Sequence, residues 1–265
     1  MLAFDIAEAA EQQTEPGKYT VTMAEGAGEG WEIAPTEATS TGVAEGTTVT
    51  ATYAGTRHVK SVTAKVTAAA GPKLDLSSVT EATTIEDGYT LTGTLGANVM
   101  ISIADGATVT LDGVTIEGEN SDWYQFAALT CEGNATIILK EGSTNTLKGF
   151  KSGYPGIFVP EGKTLTIQGS GSLDASAEGA AGIGGGYARH CGNITIEGGT
   201  ITATGAYGAA GIGGGWKGNC GDITIKNTVT SVTATKGSGA SSIGAGKEGS
   251  CGTVTIEEGA NVTQN

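Results

Sequence analysis

Basic charge is scarce in this chain. Lys and Arg together number 14 against 28 Asp and Glu, so the 265 residues carry a formal net charge of −14. Arg57 and Arg189 are the only arginines. That scarcity excludes the basic patches through which proteins hold nucleic acid or anionic membrane surfaces. Long apolar runs are missing too: no stretch approaches the roughly 20 residues of a membrane-spanning helix. The start lacks the basic and apolar regions of an export signal, so any such signal is expected outside this chain. Only two histidines occur, His58 and His190, and no C-x-x-C, so neither a zinc site nor a cofactor is expected. Charged residues are 16% and aromatics 5%. Each aromatic is therefore worth asking about.

What the chain has in quantity is glycine, 45 residues of it, and much of it recurs at intervals. Ala181-Gly182-Ile183-Gly184-Gly185-Gly186-Tyr187 leads to Cys191-Gly192-Asn193-Ile194-Thr195-Ile196. Ala210-Gly211-Ile212-Gly213-Gly214-Gly215-Trp216 leads to Cys220-Gly221-Asp222-Ile223-Thr224-Ile225. Ser242-Ile243-Gly244-Ala245-Gly246-Lys247 leads to Cys251-Gly252-Thr253-Val254-Thr255-Ile256. Both the isoleucines and the cysteines step by 29 and then 31 residues. A fixed period in this range marks a solenoid.

Within a copy, apolar and small polar residues alternate, as in Ile201-Thr202-Ala203-Thr204. Period two is strand spacing, and Ile, Val and Thr suit a pleated surface. Gly clusters break the runs every five to eight residues, and Gly tolerates the positive φ that corners require. Three short strands per turn of about 29 residues predict an all-β fold, a parallel β-helix. Leucine-rich repeats share the period but need a spaced Leu/Asn pattern and a helical segment, which are absent. Earlier rungs are expected at Asp105–Leu111, Glu132–Ile138 and Glu161–Ile167, at steps of 27 and 29. The insertion Asn120-Ser121-Asp122-Trp123-Tyr124-Gln125-Phe126 is expected to bulge from one of them.

Cys191, Cys220 and Cys251 share one corner, where they are expected to form a column of free, buried thiols. Rung spacing also suits a disulfide, and Cys131 is the fourth cysteine.

Three domains are expected: a flexible leader over 1–15, a small all-β module over 16–70, and a β-helix over 74–265 that opens on a capping rung. The module's strands are read at Tyr19–Met23, Trp31–Ile33, Thr48–Tyr53 and Val59–Val66, with Ala68-Ala69-Ala70-Gly71-Pro72 as linker. The short C-terminus offers little to cover the last rung, so either its charges blunt the edge or a further domain or another chain, by self-association, is expected to cover it.

The Y-x-V-x-M opening at Tyr19, Trp31 and the G-T-x-V-T-x-T-Y strand from Gly46 resemble the small β-sandwich modules of bacterial surface proteins. The cycle G-A-A-G-I-G-G-G…C-G-N-I-T-I resembles the glycine-rich repeats of secreted and surface proteins of gut-type bacteria, described as adhesins. That resemblance implies a right-handed parallel β-helix of the pectate-lyase class and an extracellular or cell-surface location. It does not fix an activity, because the fold hosts lyases, hydrolases and binding modules alike.

No catalytic residue is assigned. Asp112, Asp174 and Asp222 are expected on different rungs and faces, whereas sugar hydrolysis needs carboxylates in pairs. Arg189-His190 reads as a solvated turn. Threonine columns (Thr166, Thr195, Thr224, Thr255) would suit ice or mineral binding, but full T-x-T rows do not repeat on consecutive rungs. The aromatics point instead to a glycan or other host or surface macromolecule, since flat rings stack on apolar sugar faces. Tyr187 and Trp216 share one repeat position, just after Gly-Gly-Gly, and should face outward. Trp123 and Tyr124 lie in the insertion, and Tyr154 and Tyr207 in other turns. These six are the candidate ligand-binding residues. A non-catalytic adhesin is the expected function. A polysaccharide lyase or hydrolase is the alternative, and a structural stalk the third reading.

Overall fold

The computed structural model describes residues 71–119, 123–150 and 153–265, and the strands Lys18–Tyr19, Trp31–Ala34, Val43–Ala44, Thr48–Tyr53 and Ser61–Lys65. The chain divides into two compact units, Met1–Gly71 and Pro72–Asn265. In the first, Trp31–Ala34, Thr48–Tyr53 and Ser61–Lys65 form an antiparallel sheet. Lys18–Tyr19 pairs with Val43–Ala44. The leader 1–15, residues 20–23 of the first expected strand and residues 68–70 of the linker lie outside the described residues.

The second unit is a parallel β-helix with three faces. Face A stacks Thr108–Leu111, Ala135–Leu139, Thr164–Gly169, Asn193–Ile196, Ile223–Ile225 and Val254–Ile256. Face B stacks Thr115–Glu117, Thr144–Lys148, Ser172–Ser176, Thr200–Thr204, Ser231–Thr235 and Val262–Gln264. Face C begins with Thr83–Ile85, Ile101–Ile103 and Leu129–Cys131 and continues as the two-residue strands Ile157–Phe158, Ile183–Gly184, Ile212–Gly213 and Ile243–Gly244. At the N-terminal end Lys73–Asp75 pairs with Thr90–Thr94, which pairs in turn with the strand Thr108–Glu117 shared by faces A and B, and Leu76 beside them is fully buried.

Alternation decides what fills the bore. On face A, Val109, Ile137, Ile167, Ile196 and Ile225 are fully buried in register. Each such side chain contributes about 1.5–3 kcal/mol on leaving water. The threonines between them, Thr108, Thr136, Thr166, Thr195 and Thr224, form the outward column. The expected steps of 27 and 29 are corrected here. Val109 pairs with Ile137 and Ile137 with Ile167, steps of 28 and 30. A one-residue slip would have turned Thr136 inward and Ile137 outward, and a buried face forbids that.

Two polar devices hold the backbone where the ladder breaks. Asn145 is fully buried where later rungs carry Leu173, Ile201 and Val232. The register shifts at Gly113, and Asn145 Oδ1 accepts the N–H of Gly113 at 3.1 Å and of Val114 at 2.9 Å. Its Nδ2 donates to Ser143 Oγ and Ser172 O, both at 3.0 Å. A buried amide so fully used is stabilising rather than costly. Before face A, short acceptor side chains on one rung take an N–H of the next. Asp105 accepts from Asn134 at 2.7 Å, Asn134 from Thr164 at 2.9 Å, Asn193 from Asp222 at 2.8 Å and Asp222 from Thr253 at 2.7 Å. The Asn134 N–H, with the Lys163 ammonium, holds the Asp105 carboxyl below the usual carboxylate range.

The cysteines do queue along one corner. The N–H groups of Cys191 and Cys220 donate to the next rung at Asn219 O and Ser250 O, both at 2.8 Å. The expected column of free thiols is corrected: Cys220 and Cys251 form a disulfide across 31 residues, with Cα atoms 4.4 Å apart. Successive rungs meet there in an isolated parallel bridge, so the two side chains start within bonding reach. Cys191 remains a free, buried thiol, as does Cys131 on face C.

Burial pushes both free thiols up to about 12. A thiol whose folded pKa lies above its unfolded value stabilises below the unfolded pKa, and that stability drains away as pH rises toward the folded one. The window is therefore pH 9 to about 12. At pH 10 the two thiols together should cost about 3 kcal/mol, from 1.36 kcal/mol per unit. Urea unfolding at pH 7 and pH 10 checks this: a Cys131→Ala/Cys191→Ala variant should lose less stability over that step than the parent.

Candidate binding site

Face C strands of two residues leave little distance between the loop that enters the face and the corner that leaves it. Entry loops and exit corners of successive rungs therefore lie against one another. The N–H of Tyr187, in an exit corner, donates to Gly153 O in an entry loop at 2.9 Å, and the Lys247 N–H donates to Gly208 O at 2.7 Å. Such close approach needs glycine. Gly208 sits at φ +79, where a Cβ would press on Trp216 Cβ and Cγ at 3.1 Å. The exit corner has a fixed conformation, since Ala188 and Lys217, on successive rungs, take positive φ at 50° and 60°.

This arrangement gathers four of the six candidate aromatics. Tyr154, Tyr187, Tyr207 and Trp216 line one surface cavity of about 730 Å³, with Gly153, Glu178, Gly179, Arg189 and Ala206. The Trp216 ring stands between two tyrosines, with centroids 5.3 Å from Tyr187 and 5.2 Å from Tyr207, both edge-on. Edge-to-face contact is a preferred aromatic geometry. Trp216 Nε1 donates to Glu248 Oε1 at 3.2 Å, which fixes the indole. Tyr187 is 45% and Tyr207 65% exposed, so these rings are not spent on covering the corner. Tyr207 also sits at φ 31, a strained setting for a non-glycine residue.

The other two candidates lie elsewhere. Trp123 is 89% exposed and does not line the cavity. Tyr124 packs half-buried on the core, edge-on to Phe126 at 6.3 Å and Phe150 at 6.4 Å. Residues 120–122 of that insertion lie outside the described residues.

Arg189, in sequence a residue of a solvated turn, belongs to this cavity. Its guanidinium carbon lies 4.8 Å from the Tyr154 ring centroid, and Nη2 donates to Tyr154 Oη at 2.9 Å. The available signal was its position two residues after Tyr187, in a corner already marked as outward. His190 has a structural role, its Nδ1 accepting the Asn219 N–H at 2.9 Å. Asp112, Asp174 and Asp222 do not enter the cavity. Among the described residues no group of three or more His, Cys, Asp or Glu side chains is arranged to hold a metal ion. No helix there is long and apolar enough to cross a membrane.

The chain matches no family model, no curated protein and no solved structure.

Proposed function

We propose that this protein is a non-catalytic, adhesin-like binding protein that holds glycans at the aromatic corner beside face C. The single observation carrying this reading is the convergence of Tyr154, Tyr187, Tyr207 and Trp216 on one cavity. Those residues come from four separate turns of the chain. Exposed, pinned rings suit a sugar's apolar face, and the Glu178 carboxylate, the Arg189 N–H donors and the tyrosine hydroxyls are at hand for its polar groups. A secreted or cell-surface location fits the Cys220–Cys251 bridge, since disulfides persist in oxidising compartments. Among the described residues that line the cavity Glu178 is the one carboxylate, 3.6 Å from Lys148 Nζ, whereas a hydrolytic pair needs two.

A glycan array followed by calorimetry tests the reading. Binding should appear in the parent, and Trp216→Ala or Tyr207→Ala should weaken it at least ~30-fold, as for a central aromatic anchor. Thermal unfolding of Tyr207→Ala should barely change, because that ring is mostly in water. Unaltered affinity in both variants would sink the assignment of this corner. Shortened glycan products would favour the lyase or hydrolase alternative.

A further inference from the structure

We infer that the sugar held at this corner is anionic, with its carboxylate received by Arg189. The inference rests on the glycan-binding reading above and names the ligand's charge. In a chain of net charge −14, most lysines near the coil surface answer a carboxylate. Lys140 meets Asp112, Lys148 meets Glu178, Lys163 meets Asp105, Lys217 meets Glu248 and Lys226 meets Glu257. Arg189 does not: among the described residues it forms no ion pair, although Glu178 lines the same cavity. Its guanidinium is instead fixed by two contacts with one ring, stacking on Tyr154 and donating to its hydroxyl.

That placement matters for chemistry. Arginine offers five N–H donors in a rigid planar fork that matches a carboxylate bidentately, and stacking leaves its edge donors usable. Holding the fork beforehand lowers the ordering cost of binding. A second cation, Lys247, stands 5.7 Å from the Trp216 centroid and likewise forms no ion pair among the described residues. The corner thus pairs aromatic faces with two cations that form no ion pair among the described residues. An acidic sugar offers the complementary pair, an apolar ring face and a carboxylate. Sialic acids and hexuronates share that chemistry.

Calorimetry with the full chain separates the sources. The probes are 3′-sialyllactose against lactose, and a hyaluronan tetrasaccharide against a neutral N-acetylglucosamine tetramer. In at least one pair the acidic member should bind about 10- to 100-fold more tightly, the worth of a hydrogen bond to a charged group. Arg189→Gln should erase that difference by lowering the acidic sugar's affinity far more than the neutral sugar's, while Arg189→Lys should fall between. Equal affinities within both pairs would overturn the inference and leave glycan binding standing. So would an Arg189→Gln variant that weakens acidic and neutral sugars alike. Absence of binding by every probe, neutral and acidic, would remove both readings together.

Discussion

Gly213→Ala is expected to break the coil at its next-to-last rung, at a cost above about 3 kcal/mol. Two penalties coincide there. Gly213 sits at φ +128, where an L side chain is strained, and its Cβ would collide with the carbonyl oxygen of Gly244 on the next rung. That neighbour is backbone inside the face C ladder and cannot swing away. Gly184 repeats the arrangement at φ +130, against Gly213. Gly88→Ala supplies the control, since Gly88 takes φ +80 with nothing within 4 Å of the added carbon. It should cost only about 1 kcal/mol, the conformational part alone. Urea unfolding of both variants checks the comparison, and a Gly213→Ala midpoint no lower than that of Gly88→Ala would refute the rung-contact argument.

Reduction of the Cys220–Cys251 bridge is the second large effect. The crosslink closes 31 residues, worth about 3 to 4 kcal/mol in the chain-entropy account. In a stacked coil that loss is local, because each rung touches only its neighbours. Among the described residues the last rung, Ile243 to Gln264, pairs on one side. Its Val254 is 39% exposed where Ile223, one rung inward, is fully buried. Hydrogen exchange after reduction, or in Cys220→Ser/Cys251→Ser, should show residues 243–264 losing protection while Asn193–Ile196 keeps it. Equal loss along the whole coil would mean that the unit unfolds as one block.

The sequence disclosed the parts of this fold that depend on side-chain alternation. Ile194-Thr195-Ile196 and Ile223-Thr224-Ile225 differ by whole rungs, so inside and outside follow from period two. It was less legible where corners absorb length. The step from Val109 to Ile137 is 28 residues, one more than the 27 that aligning Asp105 with Glu132 suggests, and the burial of both side chains sets the register. The disulfide was illegible for a different reason: three cysteines at one corner satisfy a free column and a bridge equally, and rung contact decides. The binding corner was half legible. Tyr187 and Trp216 announce each other through the repeat, whereas Tyr154 and Tyr207 arrive from loops on the other side of face C. Their meeting depends on that face being two residues wide, and the length of a strand cut short by glycines is poorly written in composition. Arg189 escaped because its stacking partner, Tyr154, is 35 residues away.

The exit corner carries a consequence for how such a surface can change. Positions 187, 216 and 247 occupy equivalent backbone frames yet hold tyrosine, tryptophan and lysine, each followed by a residue at positive φ. The ladder on face C is indifferent to what is inscribed in those slots. A lineage could therefore rewrite ligand preference by single codon changes without disturbing the winding. Duplicating a whole rung would add another slot at a fixed offset, so recognition can grow in integral units and gain avidity without new design.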